Sequence, residues 1–327
     1  MIFNSIIDGK KTKLQSTIEV IEQSISMEQF KIGDALPSVN ILSKELGVSR
    51  DTAFKAYKEL KRRGAIDSTP TKGYYVLGNN IRILLFLDLY SPFKELLYNS
   101  LQKNLPENHR IDLAFHHYNK EVFELVVDSS FGKYNFYLVM NFDNKKLHSK
   151  LKNIDPGKLL LLDFADFDTD KYSYIRQDFA ENPYQCLMDE KERIAKYNKI
   201  VFYSPIDNEH PVKTVEYLKK LAKEIHQSFE RVHWLENRLQ LDSLYICTRQ
   251  KDLVELLKKA KDQNLICGQD YGIIVYNDNP MYEFIENGIT AISVDFAQMG
   301  ILASEFIKTR KKISETIPTK LILRGSL

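Results

Sequence analysis

Apolar residues first recur with helical spacing near Lys11, where Leu14, Ile18, Ile21 and Ile25 share one stripe. Turn chemistry follows at Lys31-Ile32-Gly33-Asp34-Ala35-Leu36-Pro37-Ser38. Ser38 is placed to cap a short helix ending at Leu46-Gly47, and Ser49 to cap another from Arg50 to about Arg63, stopped by Gly64. Two short helices joined by Gly47-Val48-Ser49 predict a helix-turn-helix. On a helical wheel, Ala53, Ala56, Tyr57 and Leu60 fall on one side, with Asp51, Lys55, Lys58 and Arg62 opposite. The stretch Ile66 to Val76, with Thr69-Pro70-Thr71-Lys72-Gly73 at its tip, reads as a two-stranded wing.

From Ile81 the pattern changes to short apolar runs alternating with amphipathic stretches. Predicted strands are Ile81–Leu87, Ile111–Phe115, Phe136–Met140, Leu159–Leu162, Ile200–Tyr203, Ser243–Cys247, Gly272–Tyr276 and Thr290–Val294. Predicted helices include Phe93–Lys103, Pro183–Lys196, Val212–His226 and Asp252–Gln263. This alternation predicts an α/β fold of parallel sheets covered by helices on both faces. Some 247 residues are many for one open sheet, so two lobes with a cleft between them are expected, the chain passing from one to the other near residues 178–200.

Composition changes little in this picture. The 327 residues are 43% hydrophobic and 28% charged, a globular composition that excludes collagenous, mucin-like and disordered classes. No apolar run approaches the roughly 18 residues that span a bilayer, and residues 1–15 show no export signal, so a cytoplasmic protein without membrane contact is expected. Three dispersed cysteines (Cys186, Cys247 and Cys267) fit a reducing compartment.

Charge is informative only when divided along the chain. Of 46 Lys/Arg and 44 Asp/Glu, residues 1–80 hold 12 and 9, while the remainder is nearly neutral. The excess narrows to residues 50–72, with seven cations (Arg50, Lys55, Lys58, Lys61, Arg62, Arg63 and Lys72) against three acids. A local basic segment on a neutral body points to a polyanion contact; a solvated helix face is the alternative on charge alone.

Several strings here agree in order and spacing. Gly33-Asp34-Ala35-Leu36-Pro37-Ser38, Leu42-Ser43-Lys44-Glu45-Leu46-Gly47-Val48-Ser49-Arg50-Asp51-Thr52, Ala56-Tyr57-Lys58-Glu59-Leu60 and Lys72-Gly73-Tyr74-Tyr75-Val76 together resemble the GntR-family winged helix-turn-helix. The resemblance implies a DNA-binding domain over residues 1–78. Its DNA contacts would come from Ser38, Asn40, Ser49, Arg50, Thr52, Lys55 and the wing residues Lys72 and Gly73. Asn40 stands where the family usually has arginine.

A second resemblance covers most of 79–327. Tyr271-Gly272-Ile273-Ile274-Val275-Tyr276-Asn277-Asp278, Gly288 to Phe296, Met299-Gly300 and Leu323-Arg324-Gly325-Ser326 are similar to the effector domain of LacI/GalR regulators, which is like periplasmic sugar-binding proteins (type I). It implies a first lobe of about 79–178 plus 297–327 and a second of about 179–296. The helix Ala297–Arg310 and the strand Thr319–Leu323 would return the chain to the first lobe. The same pairing of domains occurs in arabinose- and fucose-responsive repressors.

Sugar sites need planar polar groups and an aromatic face, placed beyond the carboxyl ends of strands. Candidates at such positions are Ser91, Phe93, Asn141, Asp143, Asp163, Arg249 and Asn277. The resemblance places ligand-binding Asp and Asn at the positions of Asn277 and Arg249, so the ligand is not carried over. No G-x-G-x-x-G, P-loop, H-E-x-x-H or G-x-S-x-G occurs, and no metal-ligand spacing is found. His116, His117, His210 and Trp234 read first as structural. The expectation is a non-enzymatic, cofactor-free repressor of sugar-utilisation genes. It would bind a palindromic operator as a homodimer and respond to a monosaccharide-like effector. Alternatives are a non-sugar effector and an enzyme-like domain binding pyridoxal phosphate, which needs more chain and a Schiff-base lysine.

Overall fold

The computed structural model describes residues 12–70, 72–77, 81–142, 146–163, 171–205 and 212–327. Thr71, Asp143 and His210 lie outside them. The winged module holds α1 (Lys13–Ser26), α2 (Val39–Leu46), α3 (Arg50–Arg63), β1 (Ile66–Thr69) and β2 (Gly73–Val76). Thr12, Ser38 and Ser49 each accept from a backbone N–H at the start of α1, α2 and α3. Left-handed Gly47 and Gly64 end α2 and α3. The apolar side of α3 is buried with Ile18, Ile21, Leu36, Leu42, Ile66 and Val76 in one core. Burial of each such large side chain contributes about 1.5–3 kcal/mol.

The wing is broader than the expected hairpin. β1 and β2 pair antiparallel from Ile66↔Val76 to Thr69↔Gly73. The segment Gly33–Leu36 adds along the other edge of β2, where Leu36 N–H donates to Tyr74 O at 2.7 Å and Gly33 N–H to Val76 O at 2.8 Å. The Gly33–Ser38 string is therefore both a turn and an edge of the wing.

The rest of the chain runs β3 (Ile81–Leu87), α4 (Pro92–Lys103), β4 (His109–Phe115), α5 (Lys120–Ser130), β5 (Phe136–Met140), β6 (Leu159–Asp163), β7 (Ser173–Gln177), α6 (Glu181–Asp189), α7 (Lys191–Ile194), β8 (Lys199–Tyr203), α8 (Val212–Glu224), β9 (Ser228–Val232), β10 (Ser243–Cys247), α9 (Gln250–Asp262), β11 (Tyr271–Tyr276), β12 (Thr290–Ser293), α10 (Phe296–Thr309), β13 (Ser314–Ile317) and β14 (Lys320–Ile322). Two six-stranded sheets result, with orders β13-β7-β6-β5-β3-β4 and β14-β12-β11-β10-β8-β9. Pairing is parallel from β4 through β3 and β5 to β6, and from β9 through β8, β10 and β11 to β12. The expected α/β class with parallel sheets is what the chain adopts.

Two compact units divide these elements. The first comprises 1–89, 102–174 and 303–313, and so includes the winged module; the second comprises 90–101, 175–302 and 314–327. In the second sheet, successive strand residues feed opposite faces, as a two-residue side-chain period requires. Ile200, Phe202, Leu244 and Ile246 pack with Leu187, Leu218 and Leu221. Val201, Tyr203, Tyr245 and Cys247 pack with Leu253, Leu256 and Ala260.

The carboxyl-terminal strand corrects one expectation. The LacI/GalR resemblance puts Thr319–Leu323 in the first lobe, but β14 pairs antiparallel with β12 in the second sheet, Ala291 opposite Ile322. Long-range polar ties hold it there. Arg324 makes a bidentate pair with Asp278 at 2.8 and 3.0 Å, and Ser326 Oγ donates to Ile273 O and accepts from Thr290 N–H, both at 2.7 Å. Gly325 fits because a Cβ there would lie 2.4 Å from Asn287 O.

Candidate functional site

Two groups of residues carry chemistry: the outer face of the winged module, and the loops at the carboxyl ends of the parallel strands.

On the winged module, Ser49 Oγ accepts from Thr52 N–H at 3.0 Å and lies 2.8 Å from Thr52 Oγ1. The cap fixes the first turn of α3 and leaves Arg50 exposed beside it. Helix amino-terminal N–H groups and a basic side chain at one point form an anion site that also fits a base edge. Ser38 and Asn40 are exposed at the start of α2, and Ser38 Oγ accepts from Ile41 N–H at 3.4 Å. At the wing tip Gly73 has φ +69°, and the Lys72 ammonium lies 5.1 Å from the Tyr75 ring centroid. Replacing Ser49 by alanine is expected to cost about 1 kcal/mol. A calorimetric melt that registers the winged module would show it as a lowered transition.

The basic segment is less bare than its sequence suggests. Lys55 pairs with Asp51 at 2.7 Å. Arg62 and Arg63 both donate to Glu59, whose carboxyl they hold down near 2, and Arg63 also reaches Glu22 at 3.0 Å. Lys61 pairs with Asp67 at 3.0 Å. Among the described residues, Arg50, Lys58 and Lys72 are the segment's cations without an acidic partner, and all three are exposed. The positive field is concentrated on those three positions rather than spread over α3.

The strand-end candidates sort by what their side chains already do. In the first unit, Asn141 is buried and its amide is engaged in its own loop: Nδ2 donates to Lys146 O at 2.8 Å, and Oδ1 accepts from His148 N–H at 3.1 Å. It shapes that loop. Asp163 ends β6 with φ +69°. In the second unit, Arg249 clasps the buried Asp252 at 2.8 and 2.9 Å, which orients the start of α9. Phe93 packs against Phe296 with ring centroids 4.6 Å apart and the rings tilted by 38°.

Two candidates of the second unit share a distinctive state. Ser91 Oγ and Asn277 Oδ1 are each buried with no hydrogen-bond partner among the described residues. Asn277 also adopts φ +62°, fixed where its N–H donates to Ile292 O at 2.7 Å. A buried polar atom left unpaired costs about 1–3 kcal/mol, so each calls for a partner that the chain itself does not supply, a water or a ligand. Lys94 was not among the candidates. This residue, three positions after Ser91, is 5% exposed, and its ammonium lies 5.4 Å from the Phe93 ring centroid. A lysine in an amphipathic helix reads from sequence as solvated, and no sequence signal marked it.

His116 is fully buried, with Phe86 and Phe123 edge-on at 5.3 Å, and its Nδ1 accepts from Tyr118 N–H. Trp234, beyond the carboxyl end of β9, is 69% exposed. No helix among the described residues is long and apolar enough to cross a membrane, and none of these residues group as three or more potential metal ligands.

Comparison with known proteins agrees with this division. Residues 14–76 match the family model of bacterial regulatory proteins, gntR family. The same region is 37% identical over 65 residues to the uncharacterized HTH-type transcriptional regulator YcxD of Bacillus subtilis; this is 20% of this chain and 15% of that protein. The fold is that of LacI-type regulators. The trehalose repressor from Escherichia coli superposes with a TM-score of 0.60 at 12% identity, over 74% of this chain and 99% of that one. The transcriptional regulator CelR in complex with cellobiose gives 0.60 at 12% identity, over 89% of this chain and 100% of that one. The chain thus joins a gntR-type winged helix-turn-helix to an α/β body of LacI-type fold.

Proposed function

We propose that the protein is a ligand-responsive transcription regulator, a cytoplasmic homodimer whose winged modules bind two half-sites of a pseudo-palindromic operator. The observation that carries the reading is the start of α3, where a capped helix terminus, exposed Arg50 and Thr52 coincide within the segment matched by the gntR-family model. Ser38, Asn40, Ser49, Lys55, Lys72 and Gly73 border the same contact. In the second unit, Ser91, Phe93 and Asn277 serve the effector, whereas Arg249 is engaged with Asp252. A monosaccharide or similar polyhydroxyl compound suits the unpaired Ser91 and Asn277 atoms and the Phe93 ring. CelR, a protein of this fold, is known with cellobiose. Repression, with ligand shifting the population that fits DNA, is the regulatory mode we favour. Catalysis has no part in the proposal.

Selection of duplexes from a random library by the purified chain tests the DNA half, with light scattering of the complex for dimerisation. Failure to enrich any sequence would overturn it. A thermal-shift screen of pentoses, hexoses, deoxyhexoses, nucleosides and sugar phosphates tests the effector half.

A further inference from the structure

The carboxyl-terminal half of α3 and the inner side of the wing meet the strand-entry side of the first sheet through a built joint. Asn135, buried just before β5, bridges the two. Its Oδ1 accepts from Arg82 N–H at 2.8 Å in β3, and its Nδ2 donates to Gly64 O at 2.7 Å, at the end of α3. Gly64, at φ +78°, has no room for a side chain, since a Cβ would stand 2.5 Å from Asn135 Nδ2. Tyr75 of β2 is buried against Gly132, where a Cβ would come within 2.4 Å of the Tyr75 hydroxyl.

A charge cluster completes the joint. Asp67 of β1 pairs with Lys158, which directly precedes β6, and with Lys61 of α3, whose ammonium also donates to Ser68 Oγ at 2.9 Å. Burial pushes the Asp67 carboxyl up, but the two ammonium groups hold it below its usual range. Such a shielded pair breaks at a large cost when one partner is removed, because the other charge stays buried.

The joint lies away from the DNA-reading end. Arg50 and Gly64 sit at opposite ends of a 14-residue helix, about 21 Å apart at 1.5 Å per residue. Arg50, Lys55, Lys72 and Gly73 remain exposed with the joint closed.

We infer that Asp67, Lys158 and Asn135 are positioning residues that make the winged module one rigid body with the first α/β unit, so that the recognition helix turns with the sheet rather than on a tether. The closed joint is then the DNA-competent state, and it fixes the separation of the two half-sites a dimer accepts. That last consequence rests on the proposed function; the rigid joint itself does not.

The test uses the full chain with Lys158→Glu, alone and combined with Asp67→Lys and Lys61→Glu, which inverts every charge of the cluster and so restores both opposite-charge pairs. Hydrogen exchange of the Ile66–Val76 amides should speed up about tenfold in the single variant and return towards wild type in the triple variant. The amides of Ser243–Cys247 and Tyr271–Tyr276 should not change and report that the rest of the chain is folded. Unchanged wing exchange, or acceleration that the charge swap fails to reverse, would overturn the joint. With a duplex selected by the wild-type chain, and copies whose half-sites are moved two base pairs apart, the wild type should discriminate the spacings and Lys158→Glu should lose that discrimination while keeping its half-site affinity. Retained discrimination alongside faster exchange would overturn the positioning role. If the wild-type chain binds no duplex, the proposed function fails, and the exchange data still decide whether the joint exists.

Discussion

Arg50→Ala is expected to weaken binding to a selected duplex by about 1–3 kcal/mol, a loss of roughly 5- to 150-fold. The helix terminus, capped by Ser49, brings the exposed Arg50 guanidinium together with the N–H groups of a first turn. Two outcomes separate how it acts. If it reads a base edge, sequence discrimination relaxes at one position of each half-site. If it touches phosphate, affinity falls alike on all sequences and the salt dependence becomes shallower by about one counterion. Lys55→Ala should have a smaller effect, because Asp51 already competes for its ammonium at 2.7 Å. Lys58 serves as a control, being exposed without an acidic partner but farther along α3. Fluorescence anisotropy at two or more salt concentrations measures all three. Unchanged affinity for Arg50→Ala with an unaltered melt would remove α3 as the recognition helix.

The winged module was legible because its signals are local. Ser38 and Ser49 cap within three residues, and Gly47 and Gly64 terminate helices by their own backbone freedom. What escaped was the addition of Gly33–Leu36 to the wing, a pairing across some forty residues that no local pattern encodes. The same reasoning separates the strands that were read from those that were not. Central strands such as β5 and β11 are buried at every position and appear as continuous apolar runs. β7 alternates, β9 is mostly polar and at most partly buried, and β13 is mostly polar and exposed, so their sequences Ser173–Gln177, Ser228–Val232 and Ser314–Ile317 do not stand out. The sheet joined by β14 was assigned by analogy, and the deciding contact, Arg324 with Asp278, spans 46 residues.

Strand ends mark candidate effector positions, but not which side chains are available. Asn141 and Arg249 satisfy the positional rule and then commit their polar atoms to Lys146, His148 and Asp252. Basic residues 61–63 satisfy the charge rule and are likewise engaged by Asp67 and Glu59. In each case a neighbour a few residues away, or a strand brought close by the fold, neutralises a group that sequence alone leaves open. The residues that stay available, Arg50 on α3 and Ser91 and Asn277 at strand ends, are the sharper candidates for that reason.

Asn277→Gly should abolish effector-induced stabilisation while leaving the ligand-free protein as stable as the wild type or up to about 1 kcal/mol more stable. The two halves have one cause. Asn277 Oδ1 is buried and unpaired, so the ligand-free protein bears its desolvation cost, and a bound hydroxyl donating to it would recover that cost. Glycine is the informative replacement because Asn277 stands at φ +62°, where alanine would add left-handed strain of about 1–2 kcal/mol and obscure the sign. A ligand at a hundred times its Kd stabilises by about 2.7 kcal/mol, so loss of one strong contact is readily seen in a melt. Operator affinity without effector should be unchanged, since the substitution lies in the second unit and the winged module in the first. Ser91→Ala, which removes the other unpaired atom without a backbone penalty, should act in the same direction with a smaller loss. A ligand-free protein destabilised by Asn277→Gly would mean that the side chain already has a structural partner. An undiminished thermal shift would mean that the effector binds elsewhere. Only the combination of equal or higher basal stability with a lost ligand response fits an atom held unpaired for its ligand.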